Sequence, residues 1–160
     1  MVTKQFTPNM AYPKIKHYCA YSERCHWEVR EKLFTYGLIK KDVELLITRL
    51  IEEDCLNETR YAKLFTGGHF RQHKWGRVKI IHALKQKKVS DQNIKLALKE
   101  IVNEDYFTIL SKLAQQKWIQ LKTEQYVNRE IKTIAYLLQY GYERPAIHGV
   151  INKIKNKNNQ

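Results

Sequence analysis

Carboxylates are scarce in this chain. Asp and Glu number 16 against 29 Lys and Arg, a formal net charge of +13 over 160 residues. Glycine (six) and proline (three) are scarce as well, which argues against a turn-rich all-β fold. Cysteine is limited to Cys19, Cys25 and Cys55. An odd number with no secretory signal reads as reduced thiols, so a cytoplasmic location is expected. Residues 1–10 hold no apolar stretch of the kind a signal peptide needs. No apolar run approaches the ~20 residues that span a bilayer. Catalytic signatures are missing too: no phosphate-binding glycine loop, no G-x-S-x-G and no dinucleotide fingerprint. Cys19, Cys25, His26 and Cys55 lack the close cysteine pairs of a zinc module. His69 and His73 share a helical face at i, i+4, but no third ligand stands at a readable spacing. Glu52, Glu53 and Asp54 form a run that reads as a solvated helix end rather than a metal site. No metal, no cofactor and no enzymatic activity are expected.

What is present is an internal repeat. Leu33, Leu84 and Leu137 recur at intervals of 51 and 53 residues, each followed by a short turn and a new apolar pattern. The patterns are Val43, Leu46, Ile47, Leu50; then Ile94, Ala97, Leu98, Ile101; then Ile147, Val150, Ile151, Ile154. Spacing of i, i+3, i+4 and i+7 places each set on one helical face. Gly37 and Gly141 stand where a helix C-terminus wants a left-handed residue. Lys88 stands at the same place in the middle copy, so it either adopts strained left-handed geometry or the turn is built differently. Ser90 fits as an N-cap.

A further helix precedes each pair, over about 13–21, 57–72 and 105–121. Trp118 sits on the apolar face of the last and belongs to a core, whereas Trp27 near a helix start is ambiguous. Gly67 and Gly68 fall inside the second, where they permit a bend, a close backbone approach or a helix end. The expected fold is all-α: three tandem three-helix repeats forming an elongated, curved arrangement, since helices this short bury their apolar faces only against neighbours. The expected boundaries are a flexible N-terminus at 1–11, repeats at 12–55, 56–103 and 104–155, and a disordered basic tail at 156–160.

The positive charge is concentrated. From Arg60 to Ser90 there is no Asp or Glu, while Glu52, Glu53, Asp54, Glu58 and Asp91 flank the segment. A net charge of this size repels itself in the folded state and suits a polyanionic partner, nucleic acid first, an acidic protein surface second and an anionic membrane third. Arg71, Lys74, Trp75 and Arg77 gather at the junction of two predicted helices. A helix N-terminus near Gly76 would add its own positive end, so this junction is expected to suit phosphates or carboxylates. The bland reading is solubility alone. Trp75 suits either stacking on a base or a partner side chain, or core packing.

These residues resemble the RecX family of bacterial recombinase regulators. The resemblance rests on Tyr18-Cys19-Ala20-Tyr21-Ser22-Glu23-Arg24-Cys25 with Glu28-Val29-Arg30-Glu31-Lys32-Leu33. It extends through Glu58-Thr59-Arg60-Tyr61-Ala62, Phe70-Arg71, Lys74-Trp75-Gly76-Arg77 and Ile80-Ile81-x-x-Leu84-Lys85. It spans roughly 12–154 and departs from the family pattern at Lys87-Lys88, where Lys-Gly is usual, and at Thr59, where an acid is usual. The resemblance implies a regulatory protein that binds RecA recombinase and its filament on single-stranded DNA; a monomer is expected. It implies inhibition of strand exchange, ATPase and coprotease activity in DNA repair and the SOS response, with the arc of repeats in the filament groove. No membrane partner is implied. Arg30, Lys32, Arg60, Arg71, Lys74, Trp75, Arg77 and Lys79 are the expected contacts to RecA or DNA. The rivals are a stand-alone helix-turn-helix nucleic-acid binder, for which the mixed charge on the third helices is weak support, and a helical enzyme of unknown type.

Overall fold

A computed structural model describes residues 5–160; the part of the flexible N-terminus expected at 1–4 lies outside the described residues. Among the described residues the chain forms nine helices and no strand. They are α1 Pro8–Tyr21, α2 His26–Thr35, α3 Lys40–Glu52, α4 Glu58–His73, α5 Arg77–Gln86, α6 Asp91–Leu98, α7 Asn103–Gln120, α8 Tyr126–Gln139 and α9 Arg144–Asn158. They run in threes, the repeat read from the sequence.

The same hairpin joins the second and third helix of each three. Gly141 turns left-handed at φ 93° after α8, its N–H bonding the Leu138 carbonyl while the Tyr142 N–H bonds Leu137. After α5, Lys88 takes φ 60° with the same two bonds, to Lys85 and from Val89 to Leu84. After α2, Gly37 takes φ 80° and bonds Phe34. This C-terminal motif pairs an apolar residue in the last helical turn with one just past the left-handed residue. Leu33 with Leu38, Leu84 with Val89 and Leu137 with Tyr142 hold those places, all buried. Ser90 caps α6 by accepting from the Asn93 N–H at 3.2 Å.

Several boundaries differ from the expectation. α1 starts at Pro8, not 13, because Thr7 caps it by accepting from the Met10 N–H and proline suits a first helical turn. Ala11 is fully buried, so the chain is ordered well ahead of residue 12. α4 runs unbroken through Gly67 and Gly68. α6 ends at Leu98, leaving Ile101 buried beyond the helix rather than on its face. α9 continues to Asn158, so most of the segment expected to be disordered is helical.

By contact the chain divides into two compact units. One takes in the described residues up to Phe65 together with Leu84–Ala97, the other Thr66–Ala83 together with Leu98–Gln160. The middle repeat therefore contributes to both. In the first unit α1, α2 and α3 close on Ile15, Val29, Leu33, Val43, Ile47 and Leu50. In the second α7, α8 and α9 close on Tyr106, Leu110, Trp118, Leu137, Ile147 and Ile151, and Trp118 is the core residue its spacing predicts. None of the described helices is long and apolar enough to cross a membrane.

Candidate nucleoprotein interface

The basic segment of the second unit is built around a close approach of two backbones. The Gly76 N–H donates to the Tyr140 carbonyl at 2.7 Å and the Val78 N–H to the Gly141 carbonyl at 2.9 Å. A Cβ on Gly76 would lie 2.3 Å from the Gly141 oxygen, and one on Gly141 would lie 2.2 Å from the Lys79 Cβ. Only glycine at both positions permits this contact. Tyr142, fully buried, donates its hydroxyl to the Lys74 carbonyl at 2.8 Å. Lys74 itself ends α4 in left-handed geometry at φ 59°.

The expected anion site at the start of α5 is therefore taken by the chain itself. The first N–H groups face the Tyr140 and Gly141 carbonyls, and the Arg77 N–H donates to the Tyr106 hydroxyl at 3.1 Å. That hydroxyl donates onward to Glu143 at 2.6 Å. A carboxylate does sit at this helix end, as electrostatics favours, but it is the protein's own. Burial, together with the Glu143 carboxylate, pushes the Tyr106 phenol above its ordinary value.

The expected contact residues divide by what already holds them. The Arg77 guanidinium donates to Asn103 at 2.6 Å, lies 3.6 Å from Glu143 and stands 3.9 Å over the Tyr106 ring. Arg60 is paired with Glu23 at 2.5 Å and Asp54 at 3.1 Å. Arg30 is paired with Glu44 at 2.7 Å, which lowers the Glu44 carboxyl below its usual value. By contrast, Arg71 and Lys74 are exposed and carry no ion pair among the described residues. Trp75 is half-buried, its ring 4.5 Å from His69 and 4.6 Å from the Lys79 ammonium. His69 and His73 stack at 5.4 Å, and no group of three metal-ligating side chains gathers among the described residues. In the first unit Lys32 lies between the rings of Tyr18 and Tyr36, at 5.5 and 5.9 Å. Thr59, where the family pattern has an acid, donates its hydroxyl to Asn93 at 2.8 Å.

The partners Tyr106, Asn103 and Glu143 carry no signal in the sequence that would tie them to Arg77. What reads as one basic surface is thus a set of structural arginines beside a smaller exposed group.

Residues 57–98 match the family model described as the second three-helix domain of RecX. The regulatory protein RecX of Vibrio vulnificus is 30% identical over 141 residues, covering 85% of this chain and 88% of its own length. That of Clostridium acetobutylicum is 31% identical over 136 residues, covering 82% and 63%. That of Clostridium perfringens is 29% identical over 131 residues, covering 81% and 61%. The chain thus spans less than two thirds of the length of these clostridial relatives. Among solved structures, RecX from Lactobacillus salivarius superposes with a TM-score of 0.86 at 22% identity, over 92% of this chain and 96% of that one. A second regulatory protein RecX gives 0.82 at 20%, over 91% and 71%. At such identities the likeness is one of fold.

Proposed function

Since the chain belongs to the RecX family of regulatory proteins, we propose that it binds RecA recombinase and its filament on single-stranded DNA, inhibiting recombinase, ATPase and coprotease activity in DNA repair and the SOS response. In this reading the repeats at 12–55, 56–103 and 104–155 engage successive RecA protomers, without cofactor or catalysis. The observation that carries it is the exposed pair Arg71 and Lys74, next in sequence to Trp75 and to a backbone pinned by Gly76 and Gly141. Cations without internal partners on a rigid frame are available to carboxylates or phosphates without reorganisation. Lys79, beside Trp75, and Lys32 extend the group. Arg30, Arg60 and Arg77 support the surface from within rather than contacting the partner.

The test is RecA's ATP hydrolysis on single-stranded DNA with increasing amounts of this protein. The companion variant is Arg71→Gln with Lys74→Asn. Asparagine tolerates the left-handed backbone at position 74, so the variant removes charge without adding strain. Dose-dependent inhibition by the wild type, weakened at least tenfold in the variant, is the expected result. Absence of inhibition at saturating wild-type protein overturns the reading. Equal inhibition by both removes this surface from it.

A further inference from the structure

α8 is the most strongly amphipathic of the described helices, yet its most apolar stripe is not the one it turns to its own core. Val127, Ile131, Ile134 and Leu138 follow one another at four, three and four residues and so share a face. Val127 is 66% exposed and Ile131 59%, while Ile134 and Leu138 are half-buried. The buried positions of the helix are Thr133 and Leu137, both fully enclosed. The Thr133 hydroxyl donates to the Arg129 carbonyl at 2.7 Å, which satisfies it inside the helix. A rotation of α8 by one residue, roughly 100°, would bring the aliphatic stripe to the core instead. A surface helix ordinarily turns its apolar stripe inward. Single exposed aliphatic residues are common, but four in one register make a patch.

α9 runs back along α8 and walls this face on one side. Arg144, His148 and Lys155 recur at four and seven residues, on one side of α9. Lys155 marks that side as the one toward α8, since it pairs with Glu130 at 2.6 Å and stands 5.6 Å from the Tyr126 centroid. Arg144 and His148 are exposed, and neither has a carboxylate partner among the described residues. Arg144 is the first residue of α9, an end where the helix dipole disfavours a cation. The other edge of the stripe carries Asn128, Ala135 and Gln139, exposed and uncharged.

We propose that the α8 stripe and its α9 wall dock an amphipathic helix of another protein, apolar along its seam and acidic along the edge that meets Arg144 and His148. The four, three, four spacing is the seam against which a second helix packs, and from Val127 to Leu138 it runs roughly 17 Å, about three turns. A second copy of this chain fits less well. Antiparallel pairing of two such stripes would set the Arg144 and His148 edge of each copy against that of the other, and each copy carries a net charge of +13. A helix that lies in an anionic bilayer is rich in Lys and Arg on its polar face, whereas the outer side of α8 holds Asn128, Ala135, Gln139 and a Lys132 already paired with Glu124. The face uses none of Arg71, Lys74 and Trp75, so it stands or falls apart from the recombinase reading.

The experiment is fluorescence anisotropy of two labelled, stapled helical peptides titrated with the full chain, without recombinase. Both peptides carry leucines at alternating intervals of three and four residues; one has glutamates along one flank of that seam, the other lysines. The wild type binds the glutamate peptide on the order of tenfold more tightly than the lysine peptide. Val127→Gln with Ile131→Gln lowers that affinity by about tenfold or more, and Arg144→Gln narrows the preference between the peptides. The double variant keeps the wild-type thermal midpoint, whereas Leu137→Ala, the buried neighbour, lowers it. Failure to bind either peptide, equal binding of the two, or wild-type affinity in the double variant overturns the proposal. So does a double variant that melts as low as Leu137→Ala, because the stripe would then belong to the core. Sedimentation velocity and flotation with phosphatidylglycerol vesicles address the other occupants. A concentration-dependent dimer, or vesicle binding, that the double variant abolishes overturns the proposal in favour of a second copy or a membrane.

Discussion

Arg77 carries a charge that is spent inside its own unit. It holds Asn103 and Glu143 and covers the Tyr106 ring, in a position where the guanidinium retains only 23% exposure. Arg77→Ala is expected to destabilise the second unit by about 1–3 kcal/mol, since it strands a partly buried carboxylate and an aromatic face. Gly76→Ala is the more severe change. Its methyl group would occupy the space of the Gly141 carbonyl and break the bonds from Gly76 and Val78, an expected loss of about 3 kcal/mol or more. Urea denaturation followed by circular dichroism checks both, and a Gly76→Ala chain as stable as wild type would refute the close approach. The same residues mark how far the sequence can be read. Gly37 and Gly141 were legible because the left-handed position is set by the helix they terminate, and Lys88, for which the sequence left two turns open, takes the same geometry. The arginine pairs were less so, because Arg30 finds Glu44 14 residues away and Arg60, besides nearby Asp54, finds Glu23 37 residues away. Charge clustering in sequence records where cations are, not which of them the fold consumes.

At the scale of helices, the middle hairpin keeps its shape while departing from the glycine found in the other two. Lys88 adopts the left-handed backbone at a cost of roughly 1 kcal/mol relative to glycine. Lys88→Gly is therefore expected to raise stability slightly, by up to about 0.5 kcal/mol after the greater freedom of the unfolded glycine is subtracted. An unchanged or lower denaturation midpoint would mean that the lysine side chain contributes more than its backbone costs. α1 and α3 are clasped by a second local device. Glu53, just past α3, accepts from the Tyr12 hydroxyl and from Arg49 and Lys16, which holds its carboxyl down at about 2. A carboxyl lowered by folding adds stability above its unfolded value near 4.5 and loses it as pH falls towards 2. The stability difference between wild type and Glu53→Gln should thus be present at neutral pH and shrink over that acidic window. A difference independent of pH would assign the clasp to packing. On the alkaline side, burial and the Glu53 carboxylate push the Tyr12 phenol up to about 12, so ionisation between 10 and 12 loosens the same clasp. Helix periods and turns were legible at this scale. The true start of α1 was not, because Thr7 capping decides it.

For the whole molecule, an excess of 13 positive charges opposes compaction at low ionic strength. Part of the cation content is neutralised internally, by pairs such as Arg30–Glu44, Lys87–Glu28 and Lys155–Glu130. The surplus falls on residues such as Arg71 and Lys74, which are exposed, form no ion pair among the described residues and add to the repulsion. A stability surplus given up at such positions is the usual signature of a surface kept for a partner. The chain should therefore melt at higher temperature as sodium chloride is added, because screening weakens the repulsion over a Debye length of about 10 Å at 0.1 M. Arg71→Gln with Lys74→Asn should raise the melting temperature at low salt, by the equivalent of a few tenths of a kcal/mol, and the gain should fade as salt increases. Arg77→Ala should lower it at every salt concentration, because its loss is one of pairing and packing. Thermal melts of the three proteins across a salt series separate the two classes of cation. If neutralising Arg71 and Lys74 destabilised the chain as Arg77→Ala does, those two residues would belong to the fold, and the surface proposed for the recombinase would have to be sought elsewhere.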